Sequence, residues 1–331
     1  METSSDRRGR ILSGMRPTGP LHIGNLVGAL NNWVALQDDY DCFYMIADWH
    51  ALMSEYHESS GIREATYEVL ADFLGAGLDP ERSCLFRQSD VAGHAELHLI
   101  LSCVTPVGWV ERCPTYKEQL KELEAKEINT YAFLGYPVLQ AADILIYRAD
   151  LVPVGEDQLP HLEITREIAR RFNALIGRVF PEPQAKLTES ARLLGLDRRK
   201  MSKSYGNAIY LSDSAEALTE KVMGMITDPQ RARRTDPGRP DYCNVHSYYE
   251  AFAPEAADEV AGKCRAAAFG CTDCKAALAE RMNQSLTPIR QRRQAAIADT
   301  ARLDRILADG ADRARTEAGQ TMRLIHDALG F

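Results

Sequence analysis

Short apolar runs alternate with helix-spaced apolar positions along the first 90 residues of the chain. RILSGM (10–15) predicts a strand, and LHIGNLVGALNNWVALQ (21–37) has the spacing of a helix packed against a sheet. DCFYMIADWHAL (41–52) is almost continuously apolar, which is typical of a strand buried on both faces. A helix over 63–77 and a strand over 84–90 follow. This βαβαβ order predicts an α/β fold with a doubly wound parallel sheet.

The pattern changes in the second half of the chain. Helical segments are predicted through 91–126, and from about residue 213 the spacing is almost entirely helical, with a loop over 231–242. At 331 residues the chain suits about two domains of ~100–200 residues each. We therefore predict a Rossmann-like catalytic domain over 1–206 and a C-terminal α-helical domain over 207–331.

Composition narrows the class of protein. The chain is 45% hydrophobic and 26% charged with a formal net charge of −8, which is ordinary for a soluble globular protein and gives no sign of indiscriminate binding to nucleic acid. No apolar run approaches the ~20 residues that span a bilayer, and METSSDRRGR lacks the apolar segment of a secretion signal. We expect a cytoplasmic protein without a membrane or DNA partner, whose eight cysteines do not form a disulfide framework.

Two segments have the composition of anion-binding sites. PTGPLHIGN (17–25) is a Gly-rich turn between a strand and a helix, where backbone N–H groups and the helix dipole face an anion. His22, Thr18 and Asn25 are candidates for binding a phosphate chain there, and a helix-capping histidine in an ordinary turn is an equal alternative. RKMSKS (199–204) combines two lysines with two hydroxyls, which suits a polyphosphate leaving group but is also typical of a solvated basic loop.

Together these segments resemble the signature motifs of the class I aminoacyl-tRNA synthetases, which are written HIGH and KMSKS. KMSKS is matched letter for letter, while HIGN has Asn25 in its last place. Residues 136–147 (YPVLQAADILIY) and 152–173 (VPVGEDQLPHLEITREIARRFN) are similar to the tryptophanyl branch, as are residues 13–37 and 286–293. The resemblance covers nearly the whole chain and indicates the tryptophanyl branch, with the tyrosyl branch, which shares the fold, as the nearest alternative.

The resemblance implies ATP-dependent attachment of L-tryptophan to tRNA(Trp) through a tryptophanyl-adenylate, with Mg²⁺ accompanying ATP. Because the substrate carboxylate is itself the nucleophile, the reaction needs cationic and hydrogen-bonding residues rather than a protein base. Lys200 and Lys203 are expected to stabilise charge on the leaving pyrophosphate, with His22 as a third catalytic candidate. The residues implied at the ATP site are Arg16, Pro17, Thr18, Gly24, Asn25, Gly155, Glu156, Asp157, Leu193, Lys200, Met201, Ser202, Lys203 and Ser204.

Asp143 is expected to read the tryptophan side chain. A buried carboxylate that faces the indole N–H would be left without its partner by a phenylalanine ring. A tyrosine hydroxyl also satisfies a carboxylate, so the shape of the pocket must complete the selection. His50 closes the predicted strand over 41–52, and a core or capping histidine is at least as good an interpretation as a substrate ligand. The resemblance assigns the substrate amino group to Tyr136 and Gln158 and the pocket wall to Gln140, Val152 and Val154.

Four cysteines in the second half have the spacing of metal ligands, in the pattern Cys243-x20-Cys264-x6-Cys271-x2-Cys274. Structural zinc sites usually pair two CxxC knuckles, whereas one CxxC with two more distant thiols suits a [4Fe–4S] cluster better, with zinc as the alternative metal. Some bacterial members of the tryptophanyl branch carry such a cluster near the anticodon-reading surface, so the resemblance implies the iron–sulfur type here. The alternative is that these are buried small hydrophobic residues, as Cys42, Cys84, Cys103 and Cys113 are expected to be.

Members of this branch are homodimers in which one tRNA spans both subunits, so a homodimer is implied. A catalytically inactive synthetase-like RNA-binding or regulatory protein is the alternative from another class, and the intact HIGN, KMSKS and Asp143 weigh against it. Arginines of the tail supply candidate phosphate contacts, although interspersed acidic residues make a solvated helix surface an equal alternative. They are Arg281, Arg290, Arg292, Arg293, Arg302, Arg305, Arg313 and Arg315.

Overall fold

A computed structural model describes residues 8–114, 116, 120, 128–187 and 193–331, without the side chains of Asp157 and Ser204. Within this part, five parallel strands form one sheet in the order β3-β2-β1-β4-β5. The strands are β1 (Arg10–Met15), β2 (Asp41–Ile46), β3 (Ser83–Arg87), β4 (Leu151–Val154) and β5 (Gln184–Leu187). The predicted doubly wound parallel sheet is therefore confirmed.

Alternate residues of the strands enter two apolar clusters on opposite faces of the sheet. Ile11 belongs to one cluster and Leu12 to the other, and they pair in register with Cys42 and Phe43 of β2. Because strand order reverses between β1 and β4, their carboxyl ends diverge and leave a crevice there, which is where open α/β sheets bind ligands.

Helices surround the sheet in the first half. The predicted helix over 21–37 is observed as a run of three segments, of which the middle one, Leu26–Leu30, is a π-helix. The helices are α1 (Ile23–Asn25), α2 (Asn31–Leu36), α3 (Asp48–Glu55), α4 (Ile62–Ala76), α5 (Gly93–Val104), α6 (Val107–Glu111), α7 (Tyr131–Leu134), α8 (Tyr136–Ile146) and α9 (Leu159–Leu175).

The prediction of one strand over 41–52 is wrong at its carboxyl end. The strand stops at Ile46, and α3 begins at Asp48, so His50 lies on a helix rather than at a strand end. Asp48 stabilises the start of α3, because its Oδ1 accepts hydrogen bonds from the backbone N–H of Trp49 at 3.1 Å and from that of Ser89 at 2.9 Å. An acidic residue in the first turn is also favoured by the helix dipole.

The second half is helical, as predicted. In the loop over 231–242, Arg231 and Pro240 are buried, so this loop is less exposed than its polar sequence suggests. Among the described residues no helix is long and apolar enough to cross a membrane. The helices are α10 (Ala215–Met223), α11 (Asn244–Phe252), α12 (Pro254–Arg265), α13 (Cys271–Ile297) and α14 (Thr300–Leu329).

The last helix packs directly against the edge strand β3. At Gly310 of α14 an added Cβ would lie 1.8 Å from the carbonyl oxygen of Leu85, so only glycine permits this approach. The thiol of Cys84 donates a hydrogen bond of 3.2 Å to the carbonyl of Gly310. Thus α14 covers a strand edge that would otherwise be open to pairing.

Candidate active site

A cavity of about 400 Å³ opens at the carboxyl ends of β1 and β4. Much of its wall comes from β1 and the turn after it, from β4 and the turn after it, and from α8, and further residues come from the segment over 26–36 and from α3. Its lining includes Gly14, Met15, Arg16, Gly28, Trp33, Met45, His50, Phe133, Tyr136, Gln140, Asp143, Val152, Val154, Gly155, Gln158 and His161. All six residues predicted to hold the amino acid substrate are therefore brought together at one cavity.

Asp143 is the predicted reader of the side chain, and only 2% of its surface is exposed. Its Oδ1 accepts hydrogen bonds from Nε2 of Gln88 at 2.7 Å and is 2.6 Å from Nδ1 of His94. Its Oδ2 is 2.7 Å from Nε2 of His50. The carboxylate is thus fixed by donors from three separate elements before any substrate binds.

The same contacts set the charge of Asp143. Burial alone would raise its pKa, but the hydrogen bonds and charges of His50 and His94 outweigh burial and lower the pKa to about 2. Behind His94, whose side chain is fully buried, the Tyr147 hydroxyl lies 2.7 Å from Nε2. Asp143 is therefore an anion at any physiological pH, suited to accept a hydrogen bond from an N–H group in the cavity.

Tyr136 and Gln158 are joined by a histidine that the sequence interpretation did not include. Nε2 of His161 is 2.7 Å from the Tyr136 hydroxyl, and its Nδ1 is 3.0 Å from Oε1 of Gln158. His161 is buried, so it holds both polar side chains at the cavity wall. Val152 and Val154, both buried, supply the apolar part of the wall.

His22 is an N-cap residue. Its Nδ1 accepts a hydrogen bond of 3.2 Å from the backbone N–H of Asn25, and its own N–H donates one of 3.0 Å to Oδ1 of Asn25. This reciprocal pair of hydrogen bonds is a capping box, so His22 caps a helix in this structure. Burial, followed by the charge of Lys203, lowers the pKa of His22 to about 4, so the imidazole is neutral at pH 7.

The two motifs are in contact although about 180 residues separate them in sequence. Nζ of Lys203 donates a hydrogen bond of 2.7 Å to the carbonyl of Gly19 and lies 3.5 Å from the Thr18 hydroxyl. Near them, Sδ of Met201 would lie 3.3 Å from a Cβ placed on Gly24. Burial lowers the pKa of Lys203 to about 8. The lysine is therefore a cation at neutral pH, placed over the Gly-rich turn.

Asn207 shapes the KMSKS segment. Its Oδ1 accepts a hydrogen bond of 2.9 Å from the backbone N–H of Ser202, and its Nδ2 donates one of 3.0 Å to the carbonyl of Lys200. Nδ2 also donates to Asp197 at 2.7 Å. The side chain of Lys200 is exposed at this loop. The segment is thus held by one amide side chain that the sequence interpretation missed.

The remaining ATP-site candidates are spread around the same region. Arg16 and Gly155 line the cavity. Pro17, the residue after Arg16, is buried, and Glu156 begins a 3₁₀ turn. Leu193 is buried in the apolar cluster that also contains Met201. The side chains of Asp157 and Ser204 lie outside the described residues.

Cys243, Cys264, Cys271 and Cys274 lie at the ends of three helices: before α11, in the last turn of α12 and in the first turn of α13. All are partly buried. Burial, followed by the charges of Cys243, Cys264 and Cys271, raises the pKa of Cys274 to about 12, against an opposing hydrogen bond with Tyr249. The thiols are thus close enough to influence one another. Even so, no three His, Cys, Asp or Glu side chains in the described part of the chain are arranged to hold a metal ion.

Several tail arginines bind the protein itself. Arg292 donates to the carbonyl of Gly75 at 2.9 Å, Arg313 to that of Ser83 at 3.1 Å and Arg315 to that of Asp90 at 2.8 Å. Arg281 pairs with Glu255 at 2.8 Å. Arg292, Arg313 and Arg315 therefore hold α13 and α14 against the first half of the chain.

In doubly wound α/β folds, nucleotides and other ligands bind in the crevice where the strand order reverses, and this chain has an amino-acid-sized cavity there. The sequence pattern described as tRNA synthetases class I (W and Y) matches residues 4–287. The chain belongs to this family.

Relatives of known function are similar over nearly their whole length. The tryptophan–tRNA ligase of Thermotoga maritima is 50% identical over 325 residues, which is 97% of this chain and 99% of that protein. The enzyme of the same name from Ralstonia nicotianae is 42% identical, covering 97% of this chain and 98% of the relative. The tryptophanyl-tRNA synthetase of Campylobacter jejuni, complexed with ADP and tryptophan, superposes with a TM-score of 0.88 at 33% identity, covering 97% and 100% of the two chains. A tyrosyl-tRNA synthetase from Archaeoglobus fulgidus, at 22% identity, shares the fold.

Proposed function

We propose that this protein is a tryptophan–tRNA ligase, which attaches L-tryptophan to tRNA(Trp) at the expense of ATP. One observation carries the proposal: the ionised Asp143 lines an amino-acid-sized cavity that extends to Arg16, close in sequence to Gly19, whose carbonyl accepts the hydrogen bond from Lys203. The similarity to the Thermotoga and Ralstonia ligases over nearly the full length supports the same substrate.

In the first step a carboxylate oxygen of tryptophan attacks the α-phosphorus of ATP. The bond from that phosphorus to the bridging oxygen breaks, and pyrophosphate leaves with the electron pair. We propose that Lys203 and Lys200 stabilise the charge on the departing phosphates. Arg16, Thr18 and the HIGN turn are proposed to align the phosphate chain of ATP for the attack. Since no described acidic cluster forms a cation cage, Mg²⁺ is expected to arrive with ATP.

In the second step a hydroxyl oxygen of the terminal ribose of tRNA attacks the acyl carbon of the adenylate, the bond from that carbon to the phosphate oxygen breaks, and AMP leaves with the electron pair while its phosphate takes up the hydroxyl proton. The chain's contribution is to hold the adenylate so that the acyl carbon stays accessible. Neutral His22 is expected to act as the cap of α1 and as a neighbour of Lys203 rather than as a proton donor, because its pKa is about 4.

For the amino acid, we propose that Asp143 accepts the indole N–H. Tyr136 and Gln158, fixed by His161, are placed to accept from the ammonium group, while Val152, Val154 and Gln140 border the ring. The contacts of Asp143 with His50 and His94 keep it charged, which makes an N–H donor the favoured partner.

Pyrophosphate exchange with each of the twenty amino acids tests this function. Exchange is expected with tryptophan and not with tyrosine. Exchange that depends on tyrosine would show that the protein is a tyrosyl-tRNA synthetase instead. An absence of exchange with every amino acid would support the inactive, RNA-binding alternative.

We also infer that Cys243, Cys264, Cys271 and Cys274 bind a [4Fe–4S] cluster, with zinc as the alternative metal. Ligand type and spacing support this, as does the position of the four cysteines at the ends of three helices. Iron, sulfide and zinc analysis of anaerobically purified protein tests it. A broad absorbance near ~400 nm with about four irons per chain is expected, whereas zinc alone or no metal would overturn the iron assignment.

We further propose a cytoplasmic homodimer that binds tRNA(Trp). An apolar depression bordered by Trp49, Leu52, Tyr56 and Leu139 supports association, because Leu52 and Tyr56 are 41% and 37% exposed. Tyr131, 84% exposed, follows Thr130 at its border. Sedimentation equilibrium is expected to give twice the chain mass, and a monomer at micromolar concentration would refute the dimer.

A further inference from the structure

A buried ion pair joins α13 to the turn that precedes His22. Asp72, on α4, is fully buried, and its Oδ2 accepts a hydrogen bond of 2.6 Å from the backbone N–H of Leu21. Its Oδ1 accepts one of 2.6 Å from Nε of Arg293 on α13. Arg293 also pairs with Glu68, one turn earlier on α4. Asp72 therefore connects a distant helix to the backbone of the HIGN turn.

The two helices touch closely at this point. A Cβ added to Gly75 of α4 would lie 2.9 Å from Cβ of Arg293 and 3.1 Å from the carbonyl oxygen of Ile289. Arg292 donates a hydrogen bond of 2.9 Å to the carbonyl of Gly75. Because the backbones are in contact, the origin of the Arg293 side chain is fixed relative to Asp72.

The turn itself is held on two sides. On one side, Leu211 N–H donates to the carbonyl of Leu21 at 2.9 Å, and Ile23 N–H donates to the carbonyl of Ile209 at 2.9 Å. On the other side, Asp72 accepts from Leu21. The Asp72 contact thus fixes the start of the turn against the first half, while residues 209–211 fix it against the segment that follows KMSKS.

Charge on Asp72 depends on these partners. Burial raises its pKa to about 6, and the Leu21 N–H and the Arg293 guanidinium oppose that rise. Asp72 in turn opposes the lowering by burial of the pKa of Lys203. Loss of Arg293 would therefore weaken the hydrogen bond from the Leu21 N–H to Asp72. It would also weaken the attraction between the Asp72 carboxylate and the Lys203 cation.

We propose that Asp72 and Arg293 are positioning residues for the ATP half of the reaction, which anchor the Leu21–His22 turn to α13. They act through the turn and through Lys203, and neither is among the described residues that line the cavity. The inference rests on the proposed function, because ATP is the ligand of this turn only if the protein activates an amino acid.

The test compares Arg293→Gln with its neighbour Arg292→Gln. Both changes remove an arginine that ties α13 to α4, but only Arg293 reaches Asp72. In tryptophan-dependent pyrophosphate exchange, Arg293→Gln is expected to raise KM for ATP at least about tenfold, because small misplacements of reacting groups are costly. The Kd of tryptophan in the absence of ATP is expected to stay unchanged, and Arg292→Gln is expected to retain the wild-type KM for ATP.

Two further variants keep the test decisive if Arg293→Gln does not fold. Arg293→Lys retains the charge and is expected to recover part of the lost ATP affinity. Asp72→Asn retains an oxygen acceptor for Leu21 but loses the charge that pairs with Arg293 and supports the Lys203 cation, so it is expected to raise KM for ATP as Arg293→Gln does.

An equal rise of KM in Arg292→Gln, a wild-type KM in Arg293→Gln and Asp72→Asn, or a matching loss of tryptophan binding would each overturn the positioning role. Wild-type protein without any exchange would overturn the proposed function as well. Exchange by the wild type therefore separates failure of this inference from failure of the function.

Discussion

At the scale of single residues, the hydrogen-bond partners of Asp143 determine what the candidate site can bind. The sequence interpretation expected a buried carboxylate in an apolar helix to need a partner and assigned that place to the substrate. The structure supplies Gln88, His94 and His50 instead, from positions 49 to 93 residues away. No local pattern reveals contacts at such separations. A carboxylate accepts about four hydrogen bonds, so three internal donors leave one position for an indole N–H.

The first prediction concerns Asp143→Ala. Removal of the carboxylate is expected to lower kcat/KM for tryptophan by at least ~10²-fold, about 2.7 kcal/mol, because the indole N–H loses its acceptor and the two histidines lose theirs. KM for ATP, which binds beside Lys203, is the internal control. Near-normal kinetics with tryptophan would refute the role of Asp143.

Lys203 predicts the pH dependence of the ATP step. Burial lowers its pKa to about 8, and the cation is the form that attracts phosphate. The group is charged below this pKa, so kcat/KM for ATP is expected to be constant at neutral pH and to fall as pH rises through about 8. Neutral His22, with a pKa of about 4, adds no change over this range.

Lys203→Arg is the matched variant for this pH profile, because a guanidinium stays charged up to at least pH ~12. The alkaline fall is expected to disappear in this variant even if its overall rate is lower. The same fall in the arginine variant would show that another group titrates.

At the scale of secondary-structure elements, periodicity predicted β1 and α4 closely but missed transitions between elements. The apolar run of residues 41–52 continues through the change from β2 to α3, so hydrophobicity alone did not mark the boundary, although Asp48 is a typical first-turn residue. The edge strand β5 gave no apolar signal because its residues are exposed or only partly buried. The HIGN and KMSKS motifs predicted the positions of both ATP-site loops. Asn207 and His161 shape the site through tertiary contacts, which a single sequence does not reveal.

A prediction at this scale concerns the contact between α14 and β3. Gly310→Ala forces a Cβ against the carbonyl of Leu85, so the helix must move away from the strand. Overpacking of this kind is expected to cost about 1–3 kcal/mol in the free energy of unfolding, measured by urea denaturation.

Gly319→Ala on the same helix is the control, because its nearest neighbour would be the end of the Arg323 side chain at 3.9 Å. There, alanine is expected to stabilise the helix by up to about 1 kcal/mol. Equal effects of the two substitutions would contradict the close contact at Gly310.

At the scale of the whole molecule, the two predicted domains share one apolar cluster. Trp33 and Phe73 from the first half lie in the same cluster as Leu278 of α13 and Leu303 of α14. Buried pairs such as Asp72 with Arg293 strengthen this connection. The division into domains over 1–206 and 207–331 remains a prediction, and apolar packing joins residues on both sides of that boundary.

This shared cluster predicts how the protein unfolds. Leu278 is fully buried, and Leu278→Ala is expected to destabilise the chain by about 2–5 kcal/mol through lost contacts and the cavity left behind. Because the cluster includes both halves, the loss is expected to lower the temperature of a single transition, at which tryptophan binding and helical content disappear together. Scanning calorimetry at fixed protein concentration, compared with tryptophan binding followed over the same temperatures, measures this. Two separate transitions, with tryptophan binding retained after the helices of 207–331 have melted, would show instead that the halves fold independently.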